Sequence, residues 1–455
     1  MTETLALLGG TPVGAPDIPP FPQFDEAAIA AVGDILRSGK TVALGRTHPA
    51  MVEAEEAVSA YHGGRPAMVL SSGHASLMAA LFGLEIGPGD EVITSPYTWG
   101  STVASILHVG AIPVFADVDD ATGLLDPASV ATAVTPATKA IIAVHIYGQP
   151  ADMAALRAIA DKHGLFLVED GSQAHGARID GLPVGNFGDA AGFSCMGGKL
   201  LATAEAGYLI TANEEAFWKA ALMTQHYGRS AEPAFPDALK PYVDSLNYTF
   251  RLTPMVAALF PSQLAKLDDE VAARRRNVAA LREGLSGIDC LALPEYADGL
   301  DPAWHMVTLN FRPEVAGVAR DTFLKALQAE GAPGFAYVPS GIHRWSRLHA
   351  RGYTGPAAPW IRQLAEAGPD YARQSLPQCD HKVATSIEIM TNGWATDLPQ
   401  AVEKTVAGYR KVVGQLDALR TWEKDNPPAE TSLPQVAMAQ AHRSAELYKP
   451  KAAKG

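Results

Sequence analysis

The sequence predicts an α/β protein organised around a largely parallel sheet. Short apolar runs alternate along the chain with segments in which apolar residues recur at helical spacing. The runs carry few polar residues, which is typical of strands that helices cover on both faces. The predicted strands are 67–71, 91–94, 112–116, 140–144, 166–168, 190–194 and 207–211, which gives a sheet of seven strands.

Helical segments precede, separate and follow these strands. The predicted helices of this part of the chain are 25–38, 49–62, 74–84, 98–108 and 153–163. A long polar helix is predicted at 268–284, where three consecutive arginines lie. After it clear strands are few, 307–311 being one, and several helices follow. The C-terminal part is therefore expected to be a smaller α+β domain.

The start of the long polar helix is where we divide the chain. The predicted parts are an N-terminal wrapping segment (1–40), a large cofactor-binding domain (41–267), a small C-terminal domain (268–425) and a tail (426–455). The first segment is rich in Pro and Gly, which favours an irregular surface path. The tail opens with two prolines and closes with a lysine-rich stretch, so we expect at most one helix and a frayed end.

Composition restricts the class of protein. With 455 residues, 47% apolar and 19% charged, the chain suits a globular protein with a large core. A net charge of −13 argues against a nucleic-acid partner, because phosphate binding needs clustered Lys and Arg. No apolar run approaches a membrane span and no basic leader begins the chain, so we expect a cytoplasmic protein without a membrane contact. Three widely spaced cysteines predict free thiols and no metal site.

A lysine and an aspartate follow the ends of two predicted strands. Lys199 closes the stretch Gly-Phe-Ser-Cys-Met-Gly-Gly-Lys, and Asp170 closes Phe-Leu-Val-Glu-Asp. Ligands of parallel sheets bind beyond the carboxyl ends of the strands. A lysine that forms a Schiff base with an aldehyde and an aspartate that keeps a pyridine nitrogen protonated are what pyridoxal 5′-phosphate (PLP) requires. Taken singly, such a lysine is more often a solvated loop residue and such an aspartate a helix cap.

Four further residues at predicted strand ends fit the same cofactor. Gly73 starts a helix after a strand, where backbone N–H groups bind phosphate, although Ser72 alone predicts an ordinary helix cap. Trp99 offers a ring for stacking, or else a core or interface side chain. Gln173 suits a hydrogen bond to the cofactor's ring hydroxyl, and Ser194 a phosphate contact. Their combination with the lysine and the aspartate indicates PLP more strongly than any one of them.

The stretches that carry these residues resemble the DegT/DnrJ/EryC1/StrS aminotransferase family. The similar stretches are 8–13, 87–93, 98–99, 144–152, 169–177, 192–199, 204–207 and 226–229. The resemblance covers residues 8–270 well and is weak over 290–425, where 337–344 is unusual. It implies the fold of type I PLP-dependent transferases, with a mostly parallel seven-stranded sheet in a large domain and a smaller C-terminal α+β domain.

The resemblance also implies roles for individual residues. It makes Lys199 the Schiff-base lysine, Asp170 the partner of the pyridine nitrogen, Gln173 a neighbour of the ring hydroxyl, Trp99 the stacking ring, and Gly73, His74 and Ser194 the phosphate site. The family usually has threonine where this chain has His74. Backbone contacts to phosphate survive that change, whereas a hydroxyl contact does not.

One cofactor ligand is expected to come from a second subunit. The family takes an asparagine from the neighbouring chain, in a motif of the type Asn-Tyr-Arg. Alignment on Arg251 puts Thr249 at that position, and Asn247 lies two residues earlier. We assign the role to Asn247, which implies a homodimer with a shared active site.

The resemblance implies an aminotransferase of amino-sugar and antibiotic biosynthesis. L-glutamine or L-glutamate would give its amino group to a keto-sugar or keto-cyclitol, with Lys199 as general base and acid. A lyase or epimerase on the same fold stays open. The sugar dehydratases of the family have histidine in place of this lysine, which disfavours that branch. A non-catalytic PLP-binding regulator would need an added DNA-binding module, which neither the acidic charge nor the tail supplies.

Overall fold

The computed structural model describes residues 3–349, 364 and 368–428. Its strands are β1 (Ala67–Leu70), β2 (Glu91–Thr94), β3 (Ile112–Phe115), β4 (Thr138–Val144), β5 (Phe166–Asp170), β6 (Arg178–Ile179), β7 (Leu182–Pro183), β8 (Ala190–Ser194), β9 (Gly207–Thr211), β10 (Leu291–Ala292), β11 (Leu300–Asp301), β12 (Met306–Phe311) and β13 (Ser386–Met390). Seven of them form the central sheet, in the order β1-β9-β8-β5-β4-β2-β3.

The central sheet is parallel except at one strand. β3, β2, β4, β5 and β8 pair in parallel, whereas β9 runs antiparallel to both of its neighbours, β8 and β1. Nearly every residue of these strands is buried, which is why they read as continuous apolar runs. The predicted fold class, with its mostly parallel sheet of seven strands, is confirmed.

Helices cover the sheet on both faces and continue into the C-terminal part. They are α1 (Glu26–Ser38), α2 (Pro49–Tyr61), α3 (Gly73–Gly83), α4 (Gly100–His108), α5 (Pro127–Ala133), α6 (Met153–His163), α7 (Glu214–Thr224), α8 (Pro254–Ala257), α9 (Phe260–Leu285), α10 (Pro313–Ala316), α11 (Arg320–Glu330), α12 (Ser346–His349), α13 (Pro377–Thr385), α14 (Pro399–Val413) and α15 (Leu416–Asp425). Among them α3 packs directly on β8 and β9, so its start lies beside the end of β8. Within the described ranges, no helix combines the length and the apolar character that a membrane crossing requires.

The long helix α9 differs from its prediction at the N-terminal end. It begins at Phe260 instead of residue 268, because Phe260 and Leu267 are apolar and buried and the helix tolerates proline in its first turn. Its first half packs into the core beside the central sheet and its second half into the core of the C-terminal part. The predicted boundary at 267/268 thus falls within one continuous helix, and the division into domains stays a prediction.

The C-terminal part has its own sheet, in the order β10-β12-β13. Helices α9, α11 and α14 pack around this sheet. The N-terminal segment docks here, because the buried carboxylate of Glu330 accepts from the backbone N–H groups of Ala6 (2.7 Å) and Val13 (3.1 Å) and from Lys411 (2.9 Å). A small sheet of β11, β6 and β7 was not predicted. Of the predicted tail, residues 429–455 lie outside the described residues.

Candidate active site

Five predicted site residues lie at or just beyond the carboxyl ends of strands in the central sheet. Gly73 follows β1, Trp99 follows β2, Asp170 ends β5 and Ser194 ends β8. Lys199 lies in the turn after β8, and the β5–β8 register sets Asp170 opposite Gly192. Parallel neighbours bring these residues to one edge of the sheet, because their strands all end there.

The start of α3 approaches the end of β8 so closely that only glycine fits. A Cβ atom on Gly73 would lie 2.4 Å from the Ser194 Cβ and 2.8 Å from its Cα. The Ser72 hydroxyl caps the helix by accepting from Ala75 N–H at 3.1 Å. Within the part of the chain that the structure describes, the N–H groups of Gly73 and His74 donate to no acceptor. The positive end of the helix dipole and these two donors form a site for an anion.

Asp170 is buried and held by two donors. Its Oδ2 accepts from the Thr102 hydroxyl at 2.7 Å, and its Oδ1 accepts from Ser172 N–H at 3.1 Å. A carboxylate that accepts on both oxygens has a fixed orientation. Sequence reasoning missed Thr102, although its place three residues after Trp99 on α4 was available as a signal.

Lys199 lies in a turn that backbone hydrogen bonds hold rigid. Its N–H donates to Met196 O at 2.7 Å, and Gly197 N–H donates to Ala204 O at 2.7 Å. Burial lowers the pKa of the Lys199 amine from 10.5 to about 8, against the attraction of the Asp170 carboxylate. Near neutral pH this amine exchanges a proton more readily than an exposed lysine does.

Gln173 is clamped at both ends of its amide. Its Oε1 accepts from Tyr147 N–H at 2.8 Å, and its Nε2 donates to the Tyr337 hydroxyl at 3.1 Å. The Tyr337 ring stacks with Trp99 at a centroid distance of 6.2 Å and an interplanar angle of 29°. Trp99 is 59% exposed, which leaves much of its surface available to a ligand. Tyr337 comes from the C-terminal part and was not predicted as a site residue.

The His74 ring turns away from the open start of α3. Its Nδ1 contacts Ser101 O at 3.2 Å and its Nε2 lies 2.7 Å from His108 Nδ1. Burial lowers the pKa of both histidines, which favours a neutral pair sharing one proton between the rings. His74 therefore offers its backbone N–H to an anion, and its side chain anchors α3 to α4.

Asn247 is set apart from the other predicted residues. It makes no hydrogen bond to any residue that the structure describes. The backbone that follows it is held against α7, with Tyr248 N–H donating to Met223 O and Phe250 N–H to Thr224 O. Leu246 beside it is 86% exposed. Within one chain, Asn247 is thus a partly exposed residue between two exposed apolar residues, Leu246 and Tyr248.

His175 and Cys195 form a buried pair behind the lysine turn. His175 Nε2 lies 3.8 Å from Cys195 Sγ, and both side chains are buried. Burial, with help from the Lys199 charge, lowers the pKa of His175 to about 3, and burial raises that of the Cys195 thiol. A neutral imidazole and a protonated thiol give this pair a packing role. In the described ranges no group of three or more metal-ligating side chains assembles.

Comparison with known proteins agrees with this geometry. The model of the DegT/DnrJ/EryC1/StrS aminotransferase family matches residues 22–362, well beyond the part in which the sequence resemblance was clear. A putative L-glutamine:3-amino-2,3-dideoxy-scyllo-inosose aminotransferase of Streptoalloteichus tenebrarius is 35% identical over 92% of this chain and 100% of its own. The L-glutamine:2-deoxy-scyllo-inosose aminotransferase of the same organism is 35% identical, over 84% of this chain and 91% of its own.

A further relative and a solved structure are also similar to this chain. A UDP-N-acetyl-3-dehydro-alpha-D-glucosamine 3-aminotransferase of Acidithiobacillus ferrooxidans is 37% identical over 71% of this chain and 83% of its own. The crystal structure of 3-amino-5-hydroxybenzoic acid synthase superposes with a TM-score of 0.74 and 27% identity, covering 88% of this chain and 100% of that one. The protein is an aminotransferase, and it belongs to the DegT/DnrJ/EryC1/StrS family.

Proposed function

We propose that this enzyme uses PLP to transfer an amino group from L-glutamine, or from L-glutamate, to a keto-cyclitol or keto-sugar. The observation that carries the proposal is a lysine amine of lowered pKa near a buried, doubly hydrogen-bonded aspartate, beside an open helix start. The names of the relatives support the substrate class, because two of them specify L-glutamine and an inosose.

The residues present fit this cofactor. The N–H groups of Gly73 and His74 and the Ser194 hydroxyl suit its phosphate, and Asp170 suits its ring nitrogen. The Gln173 amide has a second hydrogen beyond the one given to Tyr337, and this hydrogen suits the ring hydroxyl. When bound, PLP supplies an electron sink for a carbanion.

Lys199 is the residue that moves the proton. Its Nζ takes the proton from the α-carbon of the amino donor, and in the second half-reaction it gives a proton to the acceptor carbon that has gained the nitrogen. A pKa near 8 keeps both the acceptance and the release of a proton accessible near neutral pH. Thr102 and Ser172 donate to the two oxygens of Asp170 and hold its carboxylate in a fixed orientation.

Spectroscopy tests this proposal. PLP added to the purified protein should give a visible absorption band, and L-glutamine alone should convert it to a near-ultraviolet band. L-alanine serves as the comparison donor. A band that forms but does not change on addition of glutamine or glutamate would favour a lyase or an epimerase. Absence of any visible band would remove Lys199 from its assigned role.

A homodimer that shares its active sites is part of the proposal. Support comes from the exposed apolar side chains around Asn247, among them Leu246 (86% exposed), Tyr242 (69%) and Tyr227 (52%). Exposed apolar surface of this kind marks an interface. We expect Asn247 to contact the phosphate in the partner's site, and we expect the dimer to work in the cytoplasm.

Subunit mixing tests the shared site. Asn247→Ala and Lys199→Ala homodimers should each be impaired, whereas random re-association should restore about one quarter of the wild-type sites, since one site of each mixed dimer is complete. No recovery in mixtures that demonstrably exchange subunits would exclude Asn247 as a residue supplied in trans.

A further inference from the structure

The geometry points to Glu388 as a positioning residue of this active site. Its buried carboxylate holds Tyr147 and Tyr337, and through them it fixes the amide of Gln173. This inference rests on the proposed function, in which Gln173 contacts the cofactor's ring hydroxyl. Glu388 lies in the C-terminal sheet, so it acts on the cofactor side without touching the ligand.

Glu388 lies at the centre of β13 and is fully buried. Its Oε2 accepts from Tyr337 N–H at 2.8 Å. Its Oε1 accepts from the hydroxyls of Tyr147 at 3.0 Å and Thr308 at 3.3 Å, with the Tyr97 hydroxyl at 3.5 Å. Tyr337 N–H and the hydroxyls of Tyr147 and Thr308 donate to Glu388, so its side chain acts here as an acceptor on both oxygens. The Tyr97 hydroxyl has shorter contacts, to the Tyr147 hydroxyl (2.7 Å) and Ser386 Oγ (3.1 Å).

Two of these donors also reach Gln173, each through its other polar group. Tyr147 gives its hydroxyl to Glu388 and its backbone N–H to Gln173 Oε1. Tyr337 gives its backbone N–H to Glu388 and accepts from Gln173 Nε2 with its hydroxyl. The two ends of one amide are therefore held by two residues that share one carboxylate. This arrangement settles which end of the amide carries the hydrogens and where the second hydrogen points.

The backbone around Tyr337 is tied to the same strand. Phe335 and Glu388 exchange both backbone hydrogen bonds, at 2.8 and 3.1 Å. Tyr337 in turn stacks on Trp99. Loss of the Glu388 carboxylate would leave this backbone bridge in place and release the side-chain contacts that orient Tyr337 and Tyr147. A change at Glu388 is thus expected to disturb the Gln173 amide more than the fold.

Lys382 is linked to the Glu388 carboxylate through the hydroxyl of Thr308. Its Nζ donates to Thr308 Oγ1 at 3.0 Å, and the Thr308 hydrogen goes to Glu388. Hydrogen bonds that run in one direction from a cation to an anion strengthen each other. Thr308 therefore contacts the same carboxylate as the two tyrosines but has no link to Gln173, which makes it a matched control.

The test compares Glu388→Gln with wild type after loading with PLP. The glutamine keeps the shape but places an NH₂ group against donors. A ring hydroxyl that loses its donor becomes more basic, so the pH midpoint of the cofactor's visible band should rise by about one unit. Thr308→Val should keep the wild-type midpoint while lowering the melting temperature. Tyr337→Phe, which removes the contact to Gln173 directly, should raise the midpoint in the same direction.

The double variant Glu388→Gln/Tyr337→Phe tests whether Glu388 and Tyr337 act on the same amide. Since both changes act on one amide, their combined shift should be smaller than the sum of the single shifts. A wild-type midpoint in Glu388→Gln would overturn the inference, and so would additive shifts.

Two further outcomes need their own criteria, namely a Glu388→Gln variant that does not fold and a wild-type protein that gives no visible band. If Glu388→Gln does not fold, Tyr147→Phe takes its place, because it keeps the backbone contact to Gln173 and removes the hydroxyl that contacts Glu388 and Tyr97. An unchanged midpoint in that variant would equally overturn the inference. A wild-type protein that shows no visible band with PLP defeats the proposed function itself, whatever the variants do.

Discussion

Two lysines of this protein have the same lowered pKa in different surroundings. Burial brings the pKa of Lys199 and that of Lys382 from 10.5 to about 8. The Lys382 amine donates to Ala121 O (2.9 Å), Thr308 Oγ1 (3.0 Å) and Asn310 Oδ1 (2.6 Å). The Lys199 amine donates to no residue in the described ranges. A lowered pKa therefore does not identify a catalytic lysine. The assignment of Lys199 is proposed because its amine has no hydrogen-bond partner in the described ranges and lies near Asp170.

The largest expected difference between the two lysines is in activity. Lys199→Ala should reduce transamination by about a thousand-fold or more, since the general base is lost. Lys382→Met should stay within about tenfold of wild type, because three structural hydrogen bonds are lost and no proton carrier is. Steady-state rates with L-glutamine measure both. The reverse order of losses would show that the wrong lysine has been assigned.

Asp170 is the carboxylate that we propose acts together with Lys199. Asp170→Asn should lower the rate by about a hundred-fold, because a neutral amide cannot stabilise positive charge on a ring nitrogen. Thr102→Val, which keeps the carboxylate and removes one of its donors, should cost about tenfold. Rates at saturating PLP separate these losses from weaker binding. Equal losses in the two variants would mean that the charge of Asp170 is not what matters.

The open start of helix α3 is a further difference between the two lysines, because none of the described contacts of Lys382 is with the start of a helix. Gly73→Ala forces a Cβ to within 2.4 Å of Ser194 Cβ and should weaken PLP binding by about tenfold. Gly87→Ala is the control, because the nearest atom to its added Cβ is Val109 O at 3.7 Å. Equilibrium dialysis of PLP measures both. Wild-type affinity in Gly73→Ala would contradict the anion site.

The smallest expected effect concerns stability and belongs to Lys382. Its folded pKa of about 8 lies below the 10.5 of the unfolded chain, so between these values the unfolded state binds more protons. Stability therefore rises with pH in this window. The advantage of wild type over Lys382→Met should grow by about 1 kcal/mol from pH 8 to pH 9. Denaturant unfolding at the two pH values measures this difference in the free energy of unfolding. An advantage of wild type that shrinks as the pH rises would contradict the prediction.

The same pair of lysines shows what the sequence reveals. Lys199 and Asp170 were predictable because strand ends are local features and parallel strands bring them to one edge. The seven-stranded sheet was predictable for the same reason, since buried strands leave apolar runs. Lys382 lies in the helix α13, where a lysine ordinarily faces solvent, and no local sequence pattern indicates that this one is buried.

The second half of the site depends on contacts between distant parts of the chain. Tyr337 reaches Gln173 across a sequence separation of 164 residues, and Glu388 reaches Tyr147 across 241. No spacing rule connects such residues, so their roles become visible only in the fold. His74 illustrates the opposite case, because its position was predictable but the direction of its ring, toward His108, was not.

Chemical trapping compares the two lysines most directly. The PLP-loaded protein is reduced with borohydride, which makes the bond between cofactor and lysine permanent, and its peptides are then mapped by mass spectrometry. We expect a pyridoxyl group on the peptide with Lys199 and none on the peptide with Lys382. Modification at Lys382, or at neither lysine in protein that shows the visible band, would contradict the assignment of Lys199.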